Sequence, residues 1–347
     1  MAALTGREIK AALKKASAWR TAVACGVGEG LLLTELGGDP KIEMLKDDSF
    51  GQMYIKTIDK GKTTVEGTLG GYMRYDGLDL IIALVMGACG TPAQQDATIA
   101  YTNSFTLADN TDGLFATLAT LLQSDKVWEW PSVKITGLDI EGDIGGVLKF
   151  SASFIADRRV LDSTTNTYTT MGGVTYPEEG NRLIMNSNFY FRMNDASGDA
   201  LDSGDAIYPN KFKLSFKRPM EGLPEAGYEG VSEPASNNFP EATLTLDFPR
   251  YDAASHGYFE DWDALTEKKI DILFTGALIA STYYREFRVQ CPCAQVTDAK
   301  APVNGPGRIP ASITFELKAC ATAPTGMTGI TKPFQINVQN QQSASVL

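Results

Sequence analysis

The sequence predicts a mainly β protein made of two copies of one domain, each with a short helix beside its sheet and a long hairpin. Three observations carry this. Apolar and polar residues alternate with the strand period between turn signals. Glycine is abundant, at 33 residues, and punctuates those strands. The tripeptide Arg-Tyr-Asp also closes a strand twice, at Arg74–Asp76 and at Arg250–Asp252, and each time leads into a helical stretch.

The chain is organised around the run from Val127 to Arg159, read as two long strands and a glycine-marked turn. Leu148, Phe150, Ala152 and Phe154 alternate with Lys149, Ser151, Ser153 and Ile155 in the second strand. In the first, Val133 and Ile135 share a face, and after Gly137 the apolar positions become Leu138 and Ile140. That change of parity at a glycine predicts a β-bulge. Gly142, Gly145 and Gly146 supply the turn. Strands this long suit a sheet shared with neighbours.

Upstream, residues 4–24 read as a helix, with Thr5 and Glu8 as a capping box and Ile9, Leu13, Ala16 and Trp19 on one face. Residues 26–38 form a connector. Short strands follow at 41–44, 53–58 and 63–72. A short helix is expected over 78–87, with Asp76 as N-cap and Gly87 closing it. It is apolar nearly all round, which predicts burial. Strands at 101–107 and 114–121 then lead to the hairpin. Residues 161–181 turn polar and read as a linker. Beyond it, strands are expected at 184–193, 211–217, 242–248, 270–276, 284–296 and 312–319. A helix is expected over 258–265, and one strand, 334–338, in a polar tail. The domain boundaries that follow are an N-terminal helix and arm over 1–38, a first β domain over 39–160, a linker over 161–182, a second β domain over 183–321 and a tail over 322–347. The copies align as Val65–Asp76 over Glu241–Asp252, and as Trp130–Thr136 over Cys291–Thr297 with a proline in the same place.

Composition narrows the function. The formal net charge is −11, from 42 acidic against 31 basic residues. No basic stripe exists, so tight nucleic-acid binding is not expected. No segment reaches the ~18–20 apolar residues of a membrane span, and none resembles a secretory signal. Five cysteines, Cys25, Cys89, Cys291, Cys293 and Cys320, are few and odd in number, which predicts free thiols in a reducing compartment. The single histidine, His256, lies in no recognisable nucleophile setting, and two histidines for a metal do not exist. Cys291-Pro-Cys293 points two thiols to one side of a strand, where small buried side chains are the plainer reading. Gly26–Gly30 has the glycines of a phosphate loop but follows the wrong element and carries a carboxylate. Asp139, Glu141 and Asp143 share one strand and turn, as a solvated face does. No catalytic, cofactor or metal residue is assigned, and an enzyme is not expected.

Residues 74–160 resemble the tail tube proteins of phages with long flexible tails. The stretches that carry the resemblance are Tyr75–Asp79 leading into Leu80–Gly87, Tyr101–Asp109, Val133–Ile140 and Gly145–Asp157. The second copy departs after Asp252, where its helix holds Tyr258, Phe259 and Trp262 in place of aliphatic residues. The resemblance implies a β-sandwich with a flanking helix, whose long hairpin joins a β-barrel shared around a ring. It implies rings stacked into a tube in the virion tail, assembled in the host cytoplasm. Its partners would be other copies of itself, a tape measure protein and the tail terminator and tail tip proteins. DNA would pass through without specific binding, and no membrane is involved. With two domains per chain, three chains fill six places in a ring. Lys134, Thr136, Asp139, Glu141, Lys149, Ser151 and Ser153 become the candidate face toward the bore, and the surplus of carboxylates suits a wall that does not hold phosphates. The reading from another class is a carbohydrate-binding or adhesive β-sandwich, with Trp128, Trp130, Tyr283 and Tyr284 as aromatic platforms.

Overall fold

The strand Val127–Asp143, seventeen residues long, changes partners along its length. The computed structural model describes residues 6–51, 53–122, 126–177, 180–186, 188–303 and 305–347. In it, the first part of this strand pairs with Phe115–Leu121, from Val127↔Leu121 to Val133↔Ala116. Its last part lies between Lys149–Ala156 on one edge and Lys211–Lys217 on the other. The bulge expected at Gly137 is present, as a register slip between Ile135 and Gly137. A second slip falls between Trp130 and Val133, around Pro131. The turn uses Gly145 at φ 78°, a conformation side chains resist.

Tyr283–Lys300 is built the same way. It pairs with Glu267–Ala280, slipping opposite Lys268 and Ile270 just past Pro292, and slips again between Val296 and Asp298 against Ala311–Leu317. Its first part also pairs with Gln335–Asn340, which in turn pairs with Tyr101–Leu107. The second-half hairpin strand Ala311–Leu317 pairs with Glu241–Phe248, as Lys149–Ala156 pairs with the Val65–Tyr72 end of Ile58–Tyr72.

One antiparallel sheet of eight strands results. Its order is Glu35–Lys46 (two short strands in one register), Ile58–Tyr72, Lys149–Ala156, Val127–Asp143, Lys211–Lys217, Glu241–Phe248, Ala311–Leu317 and the end of Tyr283–Lys300. Leu138, Ile140, Phe150, Phe154, Leu214, Phe216, Leu244 and Phe315 bury its inner face. They share one continuous core with Leu13, Leu118, Phe191, Ile272, Phe287 and Ile336 of the remaining strands. At ~25 cal/mol per Å² of apolar surface, this common core couples the two halves strongly. Phe191, Phe212 and Phe274 meet within it at centroid separations of 5.4–6.1 Å.

The helix Asp79–Met86 is buried, as its apolar circumference requires, and Gly87 closes it at φ 90°. Its N-cap is Leu78 and not Asp76. Asp76 instead accepts from Arg285 Nε and Asn181 Nδ2. The helix Ala253–Ala264 starts earlier than expected, capped by Asp252.

Three expectations are corrected. The N-terminal segment is no helix: after one turn at Gly6–Glu8, Lys10–Ala16 is a strand whose seven residues all pair with Phe115–Leu121. Pairing to a neighbour outweighs the helix propensity of Ala, Leu and Lys, a weak prior. Thr5 lies outside the described residues. The strand expected at 63–72 begins already at Ile58, and residues 53–57, expected in a strand of their own, are in none. In the linker expected over 161–181, Asn166 and Met171 are buried and Asn166 Oδ1 accepts from Cys25 N at 2.7 Å. Finally, by burial and pairing Val65 takes the place in its strand that Ala242, not Glu241, takes in the other. Val65 and Leu69 are buried and pair opposite Ala156 and Ala152, as Ala242, Leu244 and Leu246 are buried on their strand. The Arg-Tyr-Asp alignment is one residue out within the strand, which would put every side chain on the wrong face.

The tail strand Gln335–Asn340 ties the halves together. Asn340 is buried, and its amide donates to Asp79 (3.1 Å to each oxygen) and to the Tyr75 carbonyl (2.9 Å). Burial raises the Asp79 carboxyl to about 6, against the pull of Asn340. A carboxyl raised in the folded state binds more protons folded than unfolded, so its contribution to stability is lost as pH rises from about 4 to about 6. Asp79→Asn should therefore raise the melting temperature at pH 8 and leave it nearly unchanged at pH 4. Scanning calorimetry at both pH values checks this, and equal shifts at both would contradict it.

Candidate assembly surface

Alternation gives the eight-stranded sheet one apolar and one polar face. On the polar face the cross-strand pairs are Glu141↔Lys149, Asp139↔Ser151 and Gly137↔Ser153 in the first hairpin. Five of the seven candidate residues, Asp139, Glu141, Lys149, Ser151 and Ser153, thus stand together on it. Thr136 sits in the bulge, half-buried, and its carbonyl accepts from Arg218 N at 2.7 Å. Lys134 is elsewhere. It is 1% exposed, with its ammonium on the Thr111 carbonyl (2.8 Å) and the Glu233 carboxylate. It lies before the bulge, where the alternation has the other parity, and a loop covers it.

Sequence reasoning missed the other half of this face. Lys211, Lys213, Ser215 and Lys217 lie directly opposite Asp143, Glu141, Asp139 and Gly137. Ser215 Oγ donates to Asp139 at 2.6 Å, and Lys213 and Lys211 stand 3.8 Å from Asp139 and Asp143. An acidic strand end thus meets a basic strand. The strict alternation of Lys211–Lys217 was the available signal. Gly137 serves this seam, since a Cβ there would come 3.0 Å from the Phe216 carbonyl. On this face Glu35, Asp39, Glu66, Asp139, Glu141, Asp143, Glu241, Asp247, Asp298 and Glu316 outnumber Lys41, Lys149, Lys211, Lys213, Lys217 and Lys300. The face is polar and net negative.

Both ends of the sheet are open. Among the described residues no strand pairs with the outer edge of Glu35–Lys46. On the last strand, pairing with Glu267–Ala280 stops at Gln295, leaving one edge of residues 296–300 without a partner strand among the described residues. The hairpin arm of residues 42–58 exposes Met44, Phe50, Met53, Tyr54, Ile55 and Ile58. Its counterpart in the second half, the loop 218–240, is docked on the first half. There Trp19 Nε1 donates to the Val231 carbonyl (3.0 Å), Arg20 meets Glu225 (2.6 Å), and Tyr228 donates to both oxygens of Asp157 (2.7 and 2.8 Å). Burial pushes the Asp157 carboxyl up, opposed by Tyr228, Arg158 and Arg20.

A family model described as phage tail tube protein matches residues 6–317. The chain belongs to the phage tail tube protein family. No curated protein matches the sequence. A tail tube protein is a structural component of the virion tail, and the mainly β fold with its open-ended sheet accords with that membership. Two of the four aromatic platforms of the adhesive reading are occupied. Trp130 is buried and donates to the Gly38 carbonyl (2.9 Å), while Trp128 lies under Arg159 at 4.3 Å. All five cysteines are free thiols.

Two outcomes are expected of this tail tube protein. Phe150 is 4% exposed in the core beside the exposed Lys149. Phe150→Asp should cost at least about 4 kcal/mol by burying an unpaired charge, whereas Lys149→Ser should change stability by under about 0.5 kcal/mol. Urea titration separates them. Glu233→Ala should strand the buried Lys134 ammonium and cost on the order of 3 kcal/mol, and the double variant with Lys134→Met should recover most of that loss. No recovery would mean that Glu233 acts through something other than Lys134.

Proposed function

We propose that this tail tube protein polymerises as stacked rings of three chains, each ring closing a β-barrel whose polar face surrounds the path of the phage DNA. The observation that carries the reading is the seam between Gly137–Asp143 and Lys211–Lys217. There the second half adds its first sheet strand to the last sheet strand of the first half. A sheet with unpaired ends invites uncontrolled addition of further strands. Joining copies end to end around an axis removes both ends at once.

Duplication is supported by the two long strands. Each carries a proline, a slip beside it, and a second slip a few residues on, at Ile135/Gly137 and at Val296/Asp298. Two similar halves per chain make three chains sufficient for six similar places, with true threefold and approximate sixfold symmetry. The helices after Asp76 and Asp252 differ, so contacts around the ring alternate. The surplus of carboxylates on the polar face lets a polyanion slide without binding. The tape measure protein would occupy the same bore before DNA does, and terminator and tip proteins would cap the stack.

Negative-stain images of purified protein test this. Tubes or rings with three chains per ring are expected. Six chains per ring with the second half decorating the outside, or a stable monomer, would overturn it. Assembled tubes should also fail to retain duplex DNA at low salt in a filter assay.

A further inference from the structure

We infer that neighbouring chains join through residues 298–303 of one chain and residues 36–41 of the next, in the register that sets Asp298 opposite Lys41 and Lys300 opposite Asp39. This rests on the ring reading above and adds to it the residues and alignment of the contact.

The seam inside the chain is the template. In the first half a row across the sheet runs Asp139↔Ser151, Ser151↔Gly70 and Gly70↔Glu35. In the second half the matching row runs Lys300↔Ser312, Ser312↔Asp247 and Asp247↔Lys211. Lys300 therefore corresponds to Asp139, and Glu35 to Lys211. The proline and both register slips give the same alignment of the long strands. Inside the chain, Gly137 faces Lys217 and Asp139 faces Ser215. Carried to the two open edges, that register puts Asp298 against Lys41 and Lys300 against Asp39.

The charges select this register independently. Opposite charges stand directly across from each other at both polar-face positions, which favours pairing. A slip of one residue turns the apolar side of one strand outward. A slip of two in one direction sets Asp298 against Asp39, and in the other sets Lys300 against Lys41. Both place like charges opposite and are disfavoured. Within one chain Asp39, Lys41 and Lys300 are exposed and Asp298 is half-buried, and among the described residues they pair as Lys300 with Asp298, Lys41 with Glu66 and Asp39 with Arg159. At the receiving edge Pro40 has no N–H and the Gly38 carbonyl is held by Trp130 (2.9 Å). The seam between chains therefore has fewer backbone bonds than the seam within one, and depends more on its ion pairs. The same transfer lays the 42–58 arm on the second half of the neighbour, as the 218–240 loop lies on the first half. The fully exposed Phe50, with Met53 and Tyr54, is the surface it would cover.

A cysteine pair tests the register. Directly opposed residues at a non-hydrogen-bonded antiparallel position stand about 4.5 Å apart at Cα, within disulfide reach. Tubes of the Asp39→Cys, Lys300→Cys variant, mildly oxidised, should give covalent dimers and trimers on a non-reducing gel. The yield should be at least about tenfold above each single variant and above Lys41→Cys with Lys300→Cys, because a side chain two residues off lies beyond that reach. Rings without this preference overturn the register and leave the ring reading intact. Wild-type protein that forms no rings overturns both. If the cysteine variants do not assemble, charge exchange decides: Lys300→Glu should cut tube yield and Asp39→Lys should restore it, and failure of the rescue overturns the register.

Discussion

A β-strand with an unpaired edge carries a row of unsatisfied amides and carbonyls, and the whole molecule is arranged around where those rows end. Within the chain the row on Gly137–Asp143 is satisfied by Lys211–Lys217, so the halves are fused through backbone and not merely packed. That one ladder turns two four-stranded sheets into a single eight-stranded one with a polar face. It also defines what remains unsatisfied: one edge at each end of the sheet. Assembly in this account is the same ladder made a second time, between molecules.

The two long strands make this arrangement possible because they bend. A straight strand has one partner on each side for its whole length. The slips beside Pro131 and at Gly137 let the first strand pair with Phe115–Leu121 and then with Lys211–Lys217 along one edge. The strand thereby belongs to both walls of the core. Its second-half counterpart does the same with Gln335–Asn340 and Ala311–Leu317. The tail strand then lies between a first-half and a second-half strand, a further tie between the halves.

Much of the sheet was legible in the sequence, for a physical reason. Strands with one wet face must alternate, so Lys149–Ala156, Lys211–Lys217, Glu241–Phe248 and Ala311–Leu317 all announce themselves. The parity flip at Gly137 even located the bulge. Lys10–Ala16 did not, because both its faces hold buried residues, Ala12 and Ala16 on one and Ala11 and Leu13 on the other, and its residue types favour helix in isolation. The fate of Lys134 was hidden too. Its alternation marks an outward position, and only a loop arriving from residue 233 buries it. The seam itself joins residues some seventy positions apart in sequence, as Asp139 and Ser215 are, and no local pattern records that.

Amide hydrogen exchange, compared between unassembled subunits and tubes, reports which backbone ladders exist in each state. Ile140 and Leu214, on the seam within the chain, should be protected in both states. New protection on assembly should appear at Leu36, at Ala299, Ala301 and Val303 and along the 42–58 arm. Exchange at Ile140 and Leu214 that is fast in free subunits and slows only in tubes would contradict it, because the two halves would then be joined by assembly and not by the fold.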